Sequence, residues 1–143
     1  MMGRNLLLTV VPTVLLLAAA SCCKKPSDTE VEGGYKCEAN LSAALVDTVI
    51  AAEKMPYANV SDILKTVSEE EKKCPVCGKL YSFNPDRKLW SKKFAGVEKL
   101  AVICNCQHIN RAGNTEYLGI KFNNAIVRSP RVQQFDNADE IHQ

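Results

Sequence analysis

Cys74-Pro75-Val76-Cys77-Gly78 divides this chain into a helix-patterned part before it and a strand-patterned part after it. Upstream, Leu41, Leu45, Val49 and Ala52 recur at spacings of four, four and three, with Val46 and Ile50 alongside, which is the apolar stripe of an amphipathic helix. Asn40 reads as its N-cap, and Pro56 ends the run because proline disfavours helical backbone in the residue before it. A shorter helix is expected to start at Ser61 or Asp62 and to run through Ile63, Leu64 and Val67 into the charged stretch from Glu69 to Lys73.

Downstream, Leu80-Tyr81-Ser82-Phe83 and Lys88-Leu89-Trp90 flank Asn84-Pro85-Asp86-Arg87 and read as a hairpin. Leu100 to Cys104 is a short apolar run and reads as a buried strand. A second hairpin is expected from Thr115–Phe122 and Ala125–Arg128 around Asn123-Asn124, residues that tolerate positive φ. Helices followed by strands predict an α+β domain, with the amphipathic helix and its short companion packed on a small antiparallel sheet.

The same pentapeptide carries the most specific chemistry. Cys74 and Cys77 can present two thiolates to one metal ion from a tight turn. Cys104 and Cys106, two apart on a strand, share a face because strand side chains alternate. Together they would complete a tetrahedral Cys₄ site for a structural zinc ion, with His108 as an alternative ligand in place of Cys104 or Cys106. The chain also reads as exported, and an oxidising compartment favours disulfides, so two bridges among Cys74, Cys77, Cys104 and Cys106 fit the same residues. A third reading is a redox Cys74/Cys77 dithiol, although such motifs open a helix after a strand, whereas this one opens a strand.

Cys-Pro-x-Cys-Gly at residues 74–78 resembles the metal knuckle of zinc ribbons and rubredoxins, which implies a glycine-dependent turn with backbone N–H groups aimed at the sulfurs. The Cys-x-Cys second pair departs from the zinc-ribbon pattern.

At 143 residues the chain is one small domain behind a leader. Arg4, the apolar run Leu6 to Ala20 and the small residues Ala19-Ala20-Ser21 before Cys22 form a secretory signal. This stretch resembles the lipobox of bacterial lipoproteins, which implies that Cys22 is the lipid-bearing mature N-terminus, with Ala19 standing where leucine is more usual; an ordinary signal peptide cut near Ala20 or Ser21 is the alternative. Residues 1–21 are then the signal peptide, 22–35 a lipidated terminus and flexible tether, 36–128 the domain and 129–143 a polar tail.

The net charge is +2, and removing Arg4 with the leader leaves +1, which is no nucleic-acid-binding balance. Lys72, Lys73, Lys79, Arg87, Lys88, Lys92, Lys93 and Lys99 nevertheless cluster, and read either as a solvated face or as a surface for an anionic or envelope-protein partner. No serine-hydrolase, zinc-protease or phosphate-loop motif is present. From Lys36 onward, Cys37-Glu38-Ala39-Asn40-Leu41, Cys74-Pro75 with Tyr81, and His108 with Gly113-Asn114 resemble the globular part of pseudopilin-like envelope proteins. That resemblance implies a related fold, without the assembly helix of that family. The reading is a lipid-anchored cell-envelope module, non-enzymatic, for binding or structure. A thiol redox protein and a pseudopilin-like assembly component are the alternatives.

Overall fold

The computed structural model describes residues 25–91 and 97–135, so the leader, Cys22, Cys23, Lys92, Lys93 and most of the C-terminal tail lie outside the described residues. The chain is mixed α+β. A long helix α1 (Asp28–Lys54) and a short helix α2 (Val60–Leu64) precede four strands, β1 (Ser82–Phe83), β2 (Leu100–Ile109), β3 (Thr115–Lys121) and β4 (Ile126–Ser129), with a 3₁₀ turn at Arg87–Trp90 between β1 and β2. The strands form one antiparallel sheet in the order β1-β2-β3-β4.

The stretch expected as a tether is helical from Asp28 onward. Its start is set by a capping box: Ser27 Oγ accepts from the Glu30 backbone N–H, and the Glu30 carboxylate accepts from Ser27 N at 2.9 Å. Two reciprocal bonds at Ser27 prevail over the single cap expected at Asn40, which sits well inside the helix. There, Asn40 Nδ2 donates to Lys73 O at 2.7 Å and holds the segment that leads into the pentapeptide.

Gly33 and Gly34 are buried on α1. A Cβ at Gly33 would lie 3.1 Å from Val76 Cγ2, so this glycine lets the helix lie against the pentapeptide turn.

The buried side of α1 runs Cys37, Leu41, Ala44, Leu45, Thr48 and Ala52, and the helix packs on β2 and β3. Its C-terminal end is closed by Arg87, whose Nη2 donates to Ala52 O at 2.7 Å and to Met55 O at 3.1 Å, while Nε donates to Ala58 O at 2.8 Å.

Three further expectations are corrected. The second helix is capped by Asn59 and stops at Leu64; Lys72 turns back to donate to Leu64 O at 2.9 Å, and the chain beyond runs in turns. The first hairpin does not form. Ser82 and Phe83 pair with Ile103 and Val102 of β2, and Lys88-Leu89-Trp90 coils so that the Trp90 indole is buried and donates to Asn84 O at 2.7 Å. A buried indole needs an acceptor, and the coil supplies one. The strand expected over Leu100–Cys104 continues to Ile109. The second hairpin forms as expected around Asn123-Asn124, with Asn124 at φ 65°.

Candidate metal centre and disulfide

Three elements bring the sulfurs together. Helix α1 contributes Cys37, the turn after Lys73 contributes Cys74 and Cys77, and β2 contributes Cys104, Cys106 and His108. The turn is closed by Gly78 N donating to Cys74 O at 2.8 Å and Cys74 N donating to Lys79 O at 2.9 Å; Gly78 sits at φ 72°, where a side chain would be strained.

On β2, residues 104–108 alternate, with Cys104, Cys106 and His108 buried and Asn105 and Gln107 more open. The β2–β3 register slips between Ile103 and Gln107, so the strand is irregular where its cysteines lie. Asn105 points away from them and ties β2 to the strand after the turn, donating to Leu80 O at 2.8 Å and to Ser82 Oγ at 3.0 Å.

The six residues divide into two groups that share Cys74. Cys37, Cys74, Cys104 and His108 are all buried, and their donor atoms lie within 4.8 Å of one another, a set able to hold a metal ion. His108 Nε2 is 3.4 Å from Cys104 Sγ and 3.7 Å from Cys74 Sγ. Cys74, Cys77 and Cys106 form the second group, also within 4.8 Å, and in it Cys77 and Cys106 are joined as a disulfide with a Cα–Cα distance of 6.7 Å. Cys77 is exposed and Cys106 buried.

The inner group favours negative charge at one sulfur. A hydrogen bond from the Cys37 thiol, with His108 beside it and the Cys106 backbone N–H adding to it, brings Cys104 down to about 5 against the usual 9.0, in spite of burial. Cys37 is pushed up in turn, by that same pairing with Cys104 and by burial. Burial raises Cys74, opposed by hydrogen bonds from the Cys77 and Val76 backbone N–H groups. Those N–H groups are the feature the knuckle resemblance implies. Around the group, Tyr81 Oη stands 3.6 Å from Cys37 Sγ and is held at 3.3 Å by Asn40 Nδ2.

The sequence reading places Cys74, Cys77, Cys104 and Cys106 together, and the structure brings all four close, but it does not treat them as one ligand set. Cys77 and Cys106 are bonded to each other, Cys37 joins Cys74 and Cys104, and His108 is a full member of the buried group. The crossing bridge expected between the two elements forms once, at Cys77–Cys106; Cys74 and Cys104 stay free thiols.

Cys37 is the residue that sequence reasoning missed. Its signal is its place four residues before Leu41 and eight before Leu45, on the stripe itself, once the helix is extended back to the Ser27-x-x-Glu30 box.

The dithiol reading of Cys74 and Cys77 meets a different arrangement. Val76 lies in a turn rather than a helix, and Cys77 is bonded to Cys106. Of the basic cluster, Lys72 pairs with Glu69 at 2.5 Å and Arg87 caps α1, so neither offers a free surface charge. Among the described residues, no helix is long and apolar enough to cross a membrane. No protein-family model, curated protein or solved structure matches this chain.

Proposed function

We propose that this chain is an exported envelope module, lipid-anchored at Cys22, whose folded domain is organised by one structural zinc ion held by Cys37, Cys74, Cys104 and His108. The observation that carries the zinc reading is the convergence of four buried soft or borderline donors from three separate elements. Zinc–sulfur bonds of about 2.3 Å and zinc–nitrogen bonds of about 2.0–2.1 Å in a tetrahedron put sulfur and nitrogen about 3.5 Å apart. The His108 contacts of 3.4 and 3.7 Å bracket that separation.

Three thiolates and one imidazole leave no open coordination position, so the ion would serve folding rather than catalysis. The Cys104 environment already favours thiolate, the form a metal requires. Asn40 and Tyr81 fix Cys37 from outside. The anchoring part rests on Arg4, the apolar run and Ala19-Ala20-Ser21-Cys22. More than one acyl chain on Cys22 would give stable membrane attachment.

Two measurements test the two parts separately. Metal analysis of the domain purified from an exported preparation should give about one zinc per chain, and absence of zinc would sink the metal reading. Cys22→Ala should release the protein from the membrane fraction and abolish lipid labelling; unchanged fractionation and labelling would sink the anchor.

A further inference from the structure

The two sulfur groups meet in one residue. Cys74 belongs to the metal-competent set and also lies, with its sulfur within 4.8 Å, beside both sulfurs of the Cys77–Cys106 disulfide. We propose that Cys74 couples the two: in the metal-free protein it exchanges with the Cys77–Cys106 bridge and puts a free Cys77 thiol on the surface, and metal binding to Cys74 prevents this.

The exchange balances within the chain. Cys74 passes its proton to His108 Nε2, 3.7 Å away, and its sulfur attacks Cys106 Sγ; the Cys74–Cys106 bond forms as the Cys77–Cys106 bond breaks. The electron pair leaves on Cys77, which takes a proton. Two sulfurs are oxidised before and two after, so no outside oxidant or reductant is required.

Direction follows from exposure. Cys106 is buried, whereas Cys77 is exposed in a turn whose residues 75–79 all face solvent. A solvated thiolate is the better leaving group, so attack at Cys106 with release of Cys77 prevails over attack at Cys77. A metal holding Cys74 occupies the electron pair the attack needs. The metal dependence rests on the reading of Cys74 as a ligand, whereas the exchange does not.

The consequence is a surface thiol that reports on metal loss. The Cys77 thiolate would then attack a partner's disulfide only when the metal is gone, forming a mixed disulfide as the partner's own bond breaks and its second sulfur leaves as a thiol.

The experiment alkylates the folded protein with iodoacetamide, with chelator or with added zinc, and maps labels and bridges by mass spectrometry after digestion. Zinc affinity is measured first by competition with a chromophoric chelator. In chelator, the expected result is label on Cys77 and a linked Cys74–Cys106 peptide, both lost when zinc is added. Cys74→Ser should abolish Cys77 labelling in chelator while the Cys77–Cys106 peptide persists.

The proposal is overturned if metal-free protein shows only the Cys77–Cys106 link and no Cys77 label. It is overturned equally if Cys77 labels the same with zinc bound, or if Cys106 is labelled and Cys74 links to Cys77. Failure to bind zinc in the competition step would defeat the metal reading and the coupling, and the Cys74→Ser comparison would still decide the exchange.

Discussion

The two ends of α1 are secured by different physics. At the end near Lys54, Trp90 is fully buried, meets Phe122 edge-on at 4.8 Å between centroids and donates to Asn84 O, while Arg87 closes the helix carbonyls. Every strong polar group described there has a partner, and apolar contact does the rest. At the Cys37 end, three buried thiols and an imidazole face each other with weak sulfur contacts of 3.4–3.7 Å. Thiols bury readily but make poor hydrogen bonds, so only weak polar contacts join the four donors to one another. The first end stands on packing and paired polar groups, whereas the second is a set of donors able to hold a metal ion.

The largest expected effect separates the ends directly. Chelating the metal, or replacing Cys104 by Ala, should give the largest loss of stability, read as a lower urea midpoint, while the packed Trp90 end and the Cys77–Cys106 bridge keep the domain folded. Trp90→Ala should cost about 3–5 kcal/mol through the cavity it leaves. Denaturation curves with and without zinc distinguish the two: zinc should raise the midpoint of the Trp90→Ala protein as much as that of the parent, and leave Cys104→Ala unmoved. If zinc shifts Cys104→Ala as well, the Cys37 end is not a metal centre.

Next in size is the Cys77–Cys106 bridge, which spans a sequence separation of 29. Replacing Cys106 by Ser should cost about 2–4 kcal/mol with zinc present, read as a lower urea midpoint. A loss as large as that of Cys104→Ala would place Cys106 among the ligands instead.

The metal-free protein should also show a pH dependence belonging to the cysteine end alone. Cys104 titrates at about 5 in the folded chain and near 9.0 when unfolded. Between those values the unfolded chain holds a proton that the folded chain lacks, so stability rises with pH across that window and is lost as pH falls through about 5. Above 9.0, Cys37 and Cys74, whose values are raised, act in the opposite sense and stability declines again. Urea midpoints across this range in chelator should rise and then fall, and Cys104→Ala should lose the rise.

The smallest effect concerns the start of α1. Ser27→Ala breaks the capping box and should cost about 1 kcal/mol, seen as faster amide exchange in the first turn. No change there would mean that packing of Gly33 and Gly34 alone sets where the helix begins.

Much of this arrangement is legible in the chain, and the gaps have causes. The stripe Leu41-Leu45-Val49-Ala52, the Cys74-x-x-Cys77 turn and the Asn123-Asn124 hairpin are local patterns that tertiary context reinforces. The early helix start is legible only through Ser27 and Glu30, because glycines at 33 and 34 read as a breaker when the surface they approach is unknown. The Trp90 segment has strand-like composition, and only the need of its buried indole for the Asn84 carbonyl explains the coil. At the site, spacing shows that four cysteines can meet. It does not show that Cys37 arrives from a helix packed across the sheet, or that Cys77 and Cys106 pair with each other. The first depends on how far α1 reaches over β2, and the second on how the turn and the chain after it are set against β2 by Asn105.

The most direct test is zinc-edge X-ray absorption of the zinc-loaded domain. The account predicts three sulfur neighbours at about 2.3 Å and one imidazole nitrogen at about 2.0 Å, with the nitrogen lost in His108→Ala. Four sulfurs and no nitrogen would contradict it, because Cys77 or Cys106 would then be a ligand in place of His108.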